Sequence, residues 1–157
     1  MTASRLAALL VAVTVVALDA PATHAEPSGS AIQDRRQSPL TADAETEYNR
    51  GVRARLAKDW AAAIEAFQAA VTLRPAFPEA WNELGYAFRN QGRYPESLNA
   101  YDEALRLRPD FPEALEYLGE AYAKMGRLDD ARRVLQRLRQ LDTAKAEELA
   151  EEIEKAR

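Results

Sequence analysis

The chain contains no cysteine and a single histidine, His24. Without cysteine there is no disulfide framework, thiol nucleophile, thiolate metal site or lipidated thiol. With histidine so scarce, Ser-His and Cys-His nucleophile arrangements and most zinc chemistry are excluded too. A Gly-rich phosphate loop is also missing, since Gly51, Gly85 and Gly119 stand singly within helical patterns. Cationic excess is absent: 21 Lys and Arg face 25 Asp and Glu, for a net charge of -4. That balance argues against a nucleic-acid binder held by phosphate neutralisation. The carboxylate pairs Glu147-Glu148 and Glu151-Glu152 read as one solvated helix face, not as an acid and a base in split environments. A length of 157 residues is the prior for one domain. These absences leave non-covalent recognition as the expected activity, with no catalysis, no metal and no cofactor.

Long apolar runs are scarce as well. Leu6 to Leu18 reads LAALLVAVTVVAL, 13 residues behind the lone charge of Arg5. A membrane-spanning helix needs about 20 residues, whereas a secretory hydrophobic region needs roughly 7–15. Asp19 and Pro21 stop the run, and Thr23-His24-Ala25 sets small residues one and three positions before a cut after Ala25. Ala22 offers a second cut. Residues 1–25 are therefore expected to be a signal peptide, and His24 leaves with it. The Ala- and Arg-rich style points to a bacterial chain working in the periplasm or cell envelope, or secreted. The competing reading is an uncleaved anchor that tethers the chain to the membrane. Residues 26–41 follow as an expected disordered linker. Their stretch EPSGSAIQDRRQSP has only Ile32 as a large apolar group and cannot offset its ordering entropy. Asp34-Arg35-Arg36 within it reads as a solvated cluster rather than a docking motif.

From residue 44 onward the sequence repeats with a period of 34. Sliding 44–77 over 78–111, and that copy over 112–145, aligns Gly51, Gly85 and Gly119. It also aligns Ala63, Ser97 and Ala131; Phe67, Tyr101 and Leu135; and Leu73, Leu107 and Leu141. Each copy holds two helical patterns. In the middle copy Pro78 suits a helix start, Trp81, Leu84, Gly85 and Phe88 recur at helical spacing, and Gly92 suits a left-handed cap. Pro95 opens a second helix, striped by Leu98, Tyr101, Ala104 and Leu105, which Pro109 ends. Glycine inside a helix costs about 1 kcal/mol against alanine. Three at one spacing predict a close helix contact, which Ala63, Ser97 and Ala131 are expected to face. Phe67, Tyr101 and Trp81 are expected to fill the space between neighbouring pairs.

The pattern Trp81-x-x-Leu84-Gly85-x-x-Phe88, then Ser97, Tyr101, Ala104 and Pro109, resembles the tetratricopeptide repeat. The third copy keeps Leu118, Gly119, Tyr122, Gly126 and Ala131. The first keeps Gly51, Ala63, Phe67, Ala70 and Pro75, but carries Glu47 and Arg50 where Trp81 and Leu84 stand, with Tyr48 a candidate to restore the bulk. The resemblance implies an all-α, right-handed α-solenoid of helix-turn-helix repeats over residues 42–157. A seventh helix, 144–156, reads as a cap, with Ala146, Leu149, Ala150 and Ile153 on its dry side. Some of Arg132, Arg133, Arg137 and Arg139 are expected to pair with its glutamates.

The resemblance also implies a concave groove lined by the first helix of each copy. Its candidate peptide-binding residues here are Tyr48, Asn49 and Arg55 from the first copy. Asn82, Glu83, Tyr86, Arg89 and Asn90 come from the second, and Glu116, Tyr117 and Glu120 from the third. Asparagines can both donate to and accept from a peptide backbone, and tyrosines offer rigid faces with a polar tip. Glu83, Glu116 and Glu120 oppose the carboxylate clamp used by some family members and favour Lys or Arg in the ligand. The expected partner is a neutral-to-basic peptide segment of another protein, and the expected function is that of an adaptor or scaffold. The alternative is a self-associating module that buries Trp60, the first helix pair or the C-terminal stripe against a second copy. A mass spectrum of the secreted chain should show Glu26 at the N-terminus. An intact Met1 would instead establish the anchor.

Overall fold

The computed structural model describes residues 39–157; residues 1–38, with the expected signal peptide and most of the expected linker, lie outside them. The described residues form seven helices: α1 (Pro39–Leu56), α2 (Trp60–Leu73), α3 (Pro78–Asn90), α4 (Tyr94–Leu107), α5 (Pro112–Lys124), α6 (Leu128–Leu138) and α7 (Thr143–Lys155). No strand occurs among them. Helix α1 opens at Pro39, inside the segment expected to be linker. Consecutive helices pack as hairpins, α1 on α2, α3 on α4 and α5 on α6, and each hairpin packs on the next. The first helices also touch along the array, α1 against α3, α3 against α5 and α5 against α7. The architecture is an all-α helical-repeat solenoid.

The hairpin turns follow the period. Asp59, Arg93 and Arg127 each donate a backbone N–H to the carbonyl five residues back, Ala54, Phe88 and Tyr122, at 2.9 Å. Each turn needs one residue in the left-handed region. Gly92 (φ 75) and Gly126 (φ 71) supply it, but the first copy uses Lys58 (φ 58). That conformation costs an L residue about 1–2 kcal/mol.

The three mid-helix glycines sit under large side chains. A Cβ on Gly51 would lie 2.6 Å from the Phe67 ring, and one on Gly85 would lie 2.7 Å from the Tyr101 ring. The close contact is thus between glycine and ring, not between glycine and the small residues Ala63 and Ser97. Those two are fully buried beside it. In the third copy the contact changes partner: a Cβ on Gly119 would meet Leu149 of α7 at 2.4 Å. Leu135 stands where the first copies have a ring, and Leu149 fills the space that its smaller side chain leaves. Tyr48 replaces the missing tryptophan of the first copy, with its ring 5.7 Å from Phe67 and 5.0 Å from Phe77.

Hairpins are joined by a repeated clasp. Arg74, just past α2, bonds Glu45 of α1 at 2.8 Å and lies 3.4 Å from the Phe77 ring centroid. One period on, Arg108 pairs with Glu79 and covers Phe111 at 4.5 Å. The aligned third position is Asp142, which accepts from Lys145 N at 3.1 Å and caps α7 instead. Helix α6 accordingly stops at Leu138, and Leu141, expected to match Leu73 and Leu107, is 39 % exposed.

Helix α7 buries Ala146, Leu149 and Ile153, and a charge pair fixes it to α5. Lys145 Nζ lies 2.8 Å from Glu116 Oε2, and Glu116 is 4 % exposed. The expected arginine–glutamate contacts between α6 and α7 do not form. Arg132 pairs with Asp129, Arg133 with Asp130, and Arg137 reaches the Pro109 carbonyl. The α7 glutamate that pairs across helices is Glu152, with Lys124 of α5 at 3.5 Å. Burial raises the Glu116 carboxyl above its usual range; Lys145 pulls it back and Glu148 of α7 raises it further.

Two tests follow from this packing. Gly85→Leu should lower the melting temperature steeply, because the new Cβ and its branches compete with a fully buried ring; overpacking costs roughly 1–3 kcal/mol. An unchanged melting temperature would refute the contact. Lys145→Ala should destabilise the chain by about 2 kcal/mol at pH 7, because the nearly buried Glu116 carboxyl loses the cation paired with it. The loss should shrink as the pH falls through the raised Glu116 value and vanish well below it, where the carboxyl is protonated in the folded wild type and variant alike. Urea titrations at pH 7 and pH 4 read the difference.

Candidate functional site

The 34-residue period decides which face of each first helix is open. Tyr48, Asn82 and Glu116 occupy one repeat column, and all three turn inward. Tyr48 packs on the Phe67 and Phe77 rings, Asn82 is 4 % exposed, and Glu116 is buried under Lys145. The Asn82 carbonyl oxygen is sealed from solvent and has no hydrogen-bond partner. Asn82 and Glu116 are therefore not presented as ligand contacts, whereas Tyr48 is half-buried. The expectation that Asn82 and Glu116 line an open groove is corrected here, because both are buried.

The remaining candidates gather around a row of rings. Trp60 at the start of α2 lies 5.9 Å from Tyr86, and Tyr86 lies 5.1 Å from Tyr117. The Arg89 guanidinium sits 5.1 Å from the Tyr86 centroid and 5.2 Å from the Tyr117 centroid. Arg55 also approaches the Tyr86 ring, at 5.9 Å. Asn90 flanks this row as an exposed side chain, its amide donating to the Tyr86 carbonyl at 2.8 Å, and Asn49 is exposed on α1. Trp60 was expected only at a self-association edge. Its place at the head of the row was not legible because it stands on a second helix, outside the stripe from which groove residues were drawn.

The electrostatics differ from the expected acidic groove. Glu83 Oε2 lies 3.0 Å from Arg55 Nε, Glu120 pairs with Arg89, and Glu116 with Lys145. Every carboxylate expected to attract a ligand cation already faces one from the neighbouring repeat. Burial raises the Glu83 carboxyl above its usual range, and Arg55 opposes that shift. Burial also raises the Tyr117 phenol, with Glu116 adding to it. A guanidinium held over two ring faces and bonded to a carboxylate is a rigid arrangement, since neither ring nor fork can turn without losing partners. The surface therefore offers fixed aromatic faces, phenol tips and exposed amides. Among the described residues, no group of three His, Cys, Asp or Glu is placed to hold a metal ion.

A search of curated proteins found no match. The Arabidopsis OM64 TPR domain is similar in fold, at 17 % identity and a TM-score of 0.70, covering 74 % of this chain and 98 % of that one. The TPR2B domain of yeast Sti1, solved in complex with an Hsp70 peptide, gives 20 % identity and a TM-score of 0.69, with coverages of 73 % and 96 %. MamA gives 27 % identity and a TM-score of 0.62, covering 69 % of this chain and 63 % of that one. Models of the tetratricopeptide repeat match residues 48–98 and 112–145, and a TPR repeat model matches 85–126. These matches run without a break from 48 to 145, and the chain belongs to the tetratricopeptide-repeat family.

Proposed function

We propose that this chain is a non-enzymatic adaptor, exported to the bacterial periplasm or cell envelope, that binds a peptide segment of a partner protein on its first-helix face. The observation that carries the reading is the pre-organised row Trp60, Tyr86 and Tyr117 with Arg89 packed against both phenol rings. Rings fixed before binding lose little entropy when a ligand arrives, and tyrosine and tryptophan are the side chains that most often anchor an interface. Asn90 beside the row and exposed Asn49 on α1 carry amide groups suited to a peptide backbone. Structural neighbours bound to Hsp70 and Hsp90 peptides add support for a protein partner.

The ligand favoured is the neutral end of the neutral-to-basic range. An acidic tail such as the SRMEEVD peptide of one neighbour would find Arg55 and Arg89 already engaged by Glu83 and Glu120. A strongly basic one would find the two carboxylates already neutralised by Arg55 and Arg89. Recognition then rests on ring contact and amide hydrogen bonds, with charge a minor contributor.

A photo-crosslinking residue placed at exposed Asn90 and, as a control, at exposed Gln136 of α6 tests the site in the native envelope. A discrete protein adduct should form from position 90 and not from 136. In the same chain Tyr86→Ala with Tyr117→Ala should weaken capture roughly ten-fold, worth about 1.4 kcal/mol, while raised salt should leave it unchanged. Equal adducts from both positions, or capture indifferent to the two tyrosines, would overturn the assignment.

A further inference from the structure

The aromatic row holds hydrogen-bond donors that the protein itself does not use. Trp60, Tyr86 and Tyr117 are each half-buried. Among the described residues no group accepts from Trp60 Nε1, Tyr86 Oη or Tyr117 Oη, and none of these three atoms is sealed from solvent. The same groups elsewhere are satisfied or shut away: the Trp81 indole donates to the Pro75 carbonyl at 2.8 Å, and Tyr101 Oη is sealed in the core. Burial, with Glu116 adding to it, raises the Tyr117 phenol above its usual range, so it stays protonated and able to donate.

The acceptors beside the row are, by contrast, engaged. Glu83 faces Arg55, Glu120 faces Arg89, and the Tyr86 carbonyl takes the Asn90 amide. Two guanidinium groups and two carboxylates cancel, and the row as a whole is neutral.

We propose, building on the adaptor reading above, that the row binds a proline-rich segment of the partner protein in the polyproline II conformation. Three features select that occupant. The first is charge, since a neutral site with every ion already paired is matched by an uncharged ligand. The second is the balance of donors and acceptors. Proline carries a carbonyl acceptor and no N–H. A proline run therefore brings acceptors to the three free donors and has no donor of its own to satisfy. An ordinary extended strand brings one N–H per residue, and those turned toward the row would lose water to carboxylates that are already paired. The third feature is spacing. Neighbouring ring centroids lie 5.9 and 5.1 Å apart. The outer two rings are thus separated by no more than about 11 Å, close to one polyproline II turn of about 9 Å. Both partners are also stiff before they meet, which limits the entropy lost on binding.

The probe is decaproline with an uncharged dye and an amidated end, titrated against the full chain by fluorescence anisotropy. Saturable binding is expected, roughly ten-fold tighter than that of a glycine-serine decapeptide and unmoved by salt. Trp60→Phe with Tyr86→Phe and Tyr117→Phe keeps a ring at each place and deletes the three donors; it should weaken binding roughly ten-fold. Tyr86→Phe with Tyr117→Phe removes only two solvent-open oxygens, so it should keep the melting temperature and still weaken binding roughly three-fold. Absence of saturable binding by the folded wild-type chain overturns the proposal, as does equal affinity for the two peptides or equal binding by the double variant. A protein adduct from position 90 in the native envelope without decaproline binding overturns the polyproline assignment and leaves the adaptor reading standing. Failure of both overturns the two together.

Discussion

A missing side chain under a large one governs this structure. At Gly51 and Gly85 the first helix of a hairpin comes so close to the second that only hydrogen fits beneath Phe67 and Tyr101. The helical glycine is unfavourable by itself, and the burial of a whole aromatic ring more than offsets it. Everything else in the array is placed by that approach. It sets how far each hairpin closes, hence where the next one packs and which stripe of each first helix is left open.

Charge in this protein mostly serves the seams. Arg55 with Glu83, Arg89 with Glu120, Lys145 with Glu116, and the paired clasps of Arg74 and Arg108 all join neighbouring elements of the stack. Partly exposed pairs of this kind add little stability each. Their geometric effect is larger, because a guanidinium bonded to one repeat and stacked on a ring of another fixes the angle between them. The face first suited to a charged ligand is therefore better described as aromatic, with its charges already engaged.

The hairpins were legible because their determinants are local and periodic. Pro78 and Pro112 start helices, Gly92 and Gly126 turn the chain, and Ala63, Ser97 and Ala131 are buried as a packing column should be. The site was less legible, for a geometric reason. A helical wheel gives each residue a direction relative to its own axis, but solvent exposure depends on where neighbouring axes lie. Tyr48 reaches the Phe67 ring of its own hairpin and the Phe77 ring ahead of the next, while Glu116 reaches Lys145 of α7. Pairing was harder still. Arg89 meets Glu120 across 31 positions, and only the inter-repeat angle brings them together. The departure of the third copy did leave a trace, since Asp142 stands where two arginines are expected, a sign of a helix cap rather than a clasp.

Helix α7 takes the seat over Gly119 that a ring on the paired second helix takes earlier in the stack. It is thus an integral plug, and lengthening the solenoid becomes a question of where to cut. A helix pair grafted after α7 would meet exposed Glu147, Glu151 and Glu154, a surface with nothing to bury. The same pair spliced between Leu138 and Thr143 would meet the apolar side that α7 now covers, and would hand α7 on to the newcomer.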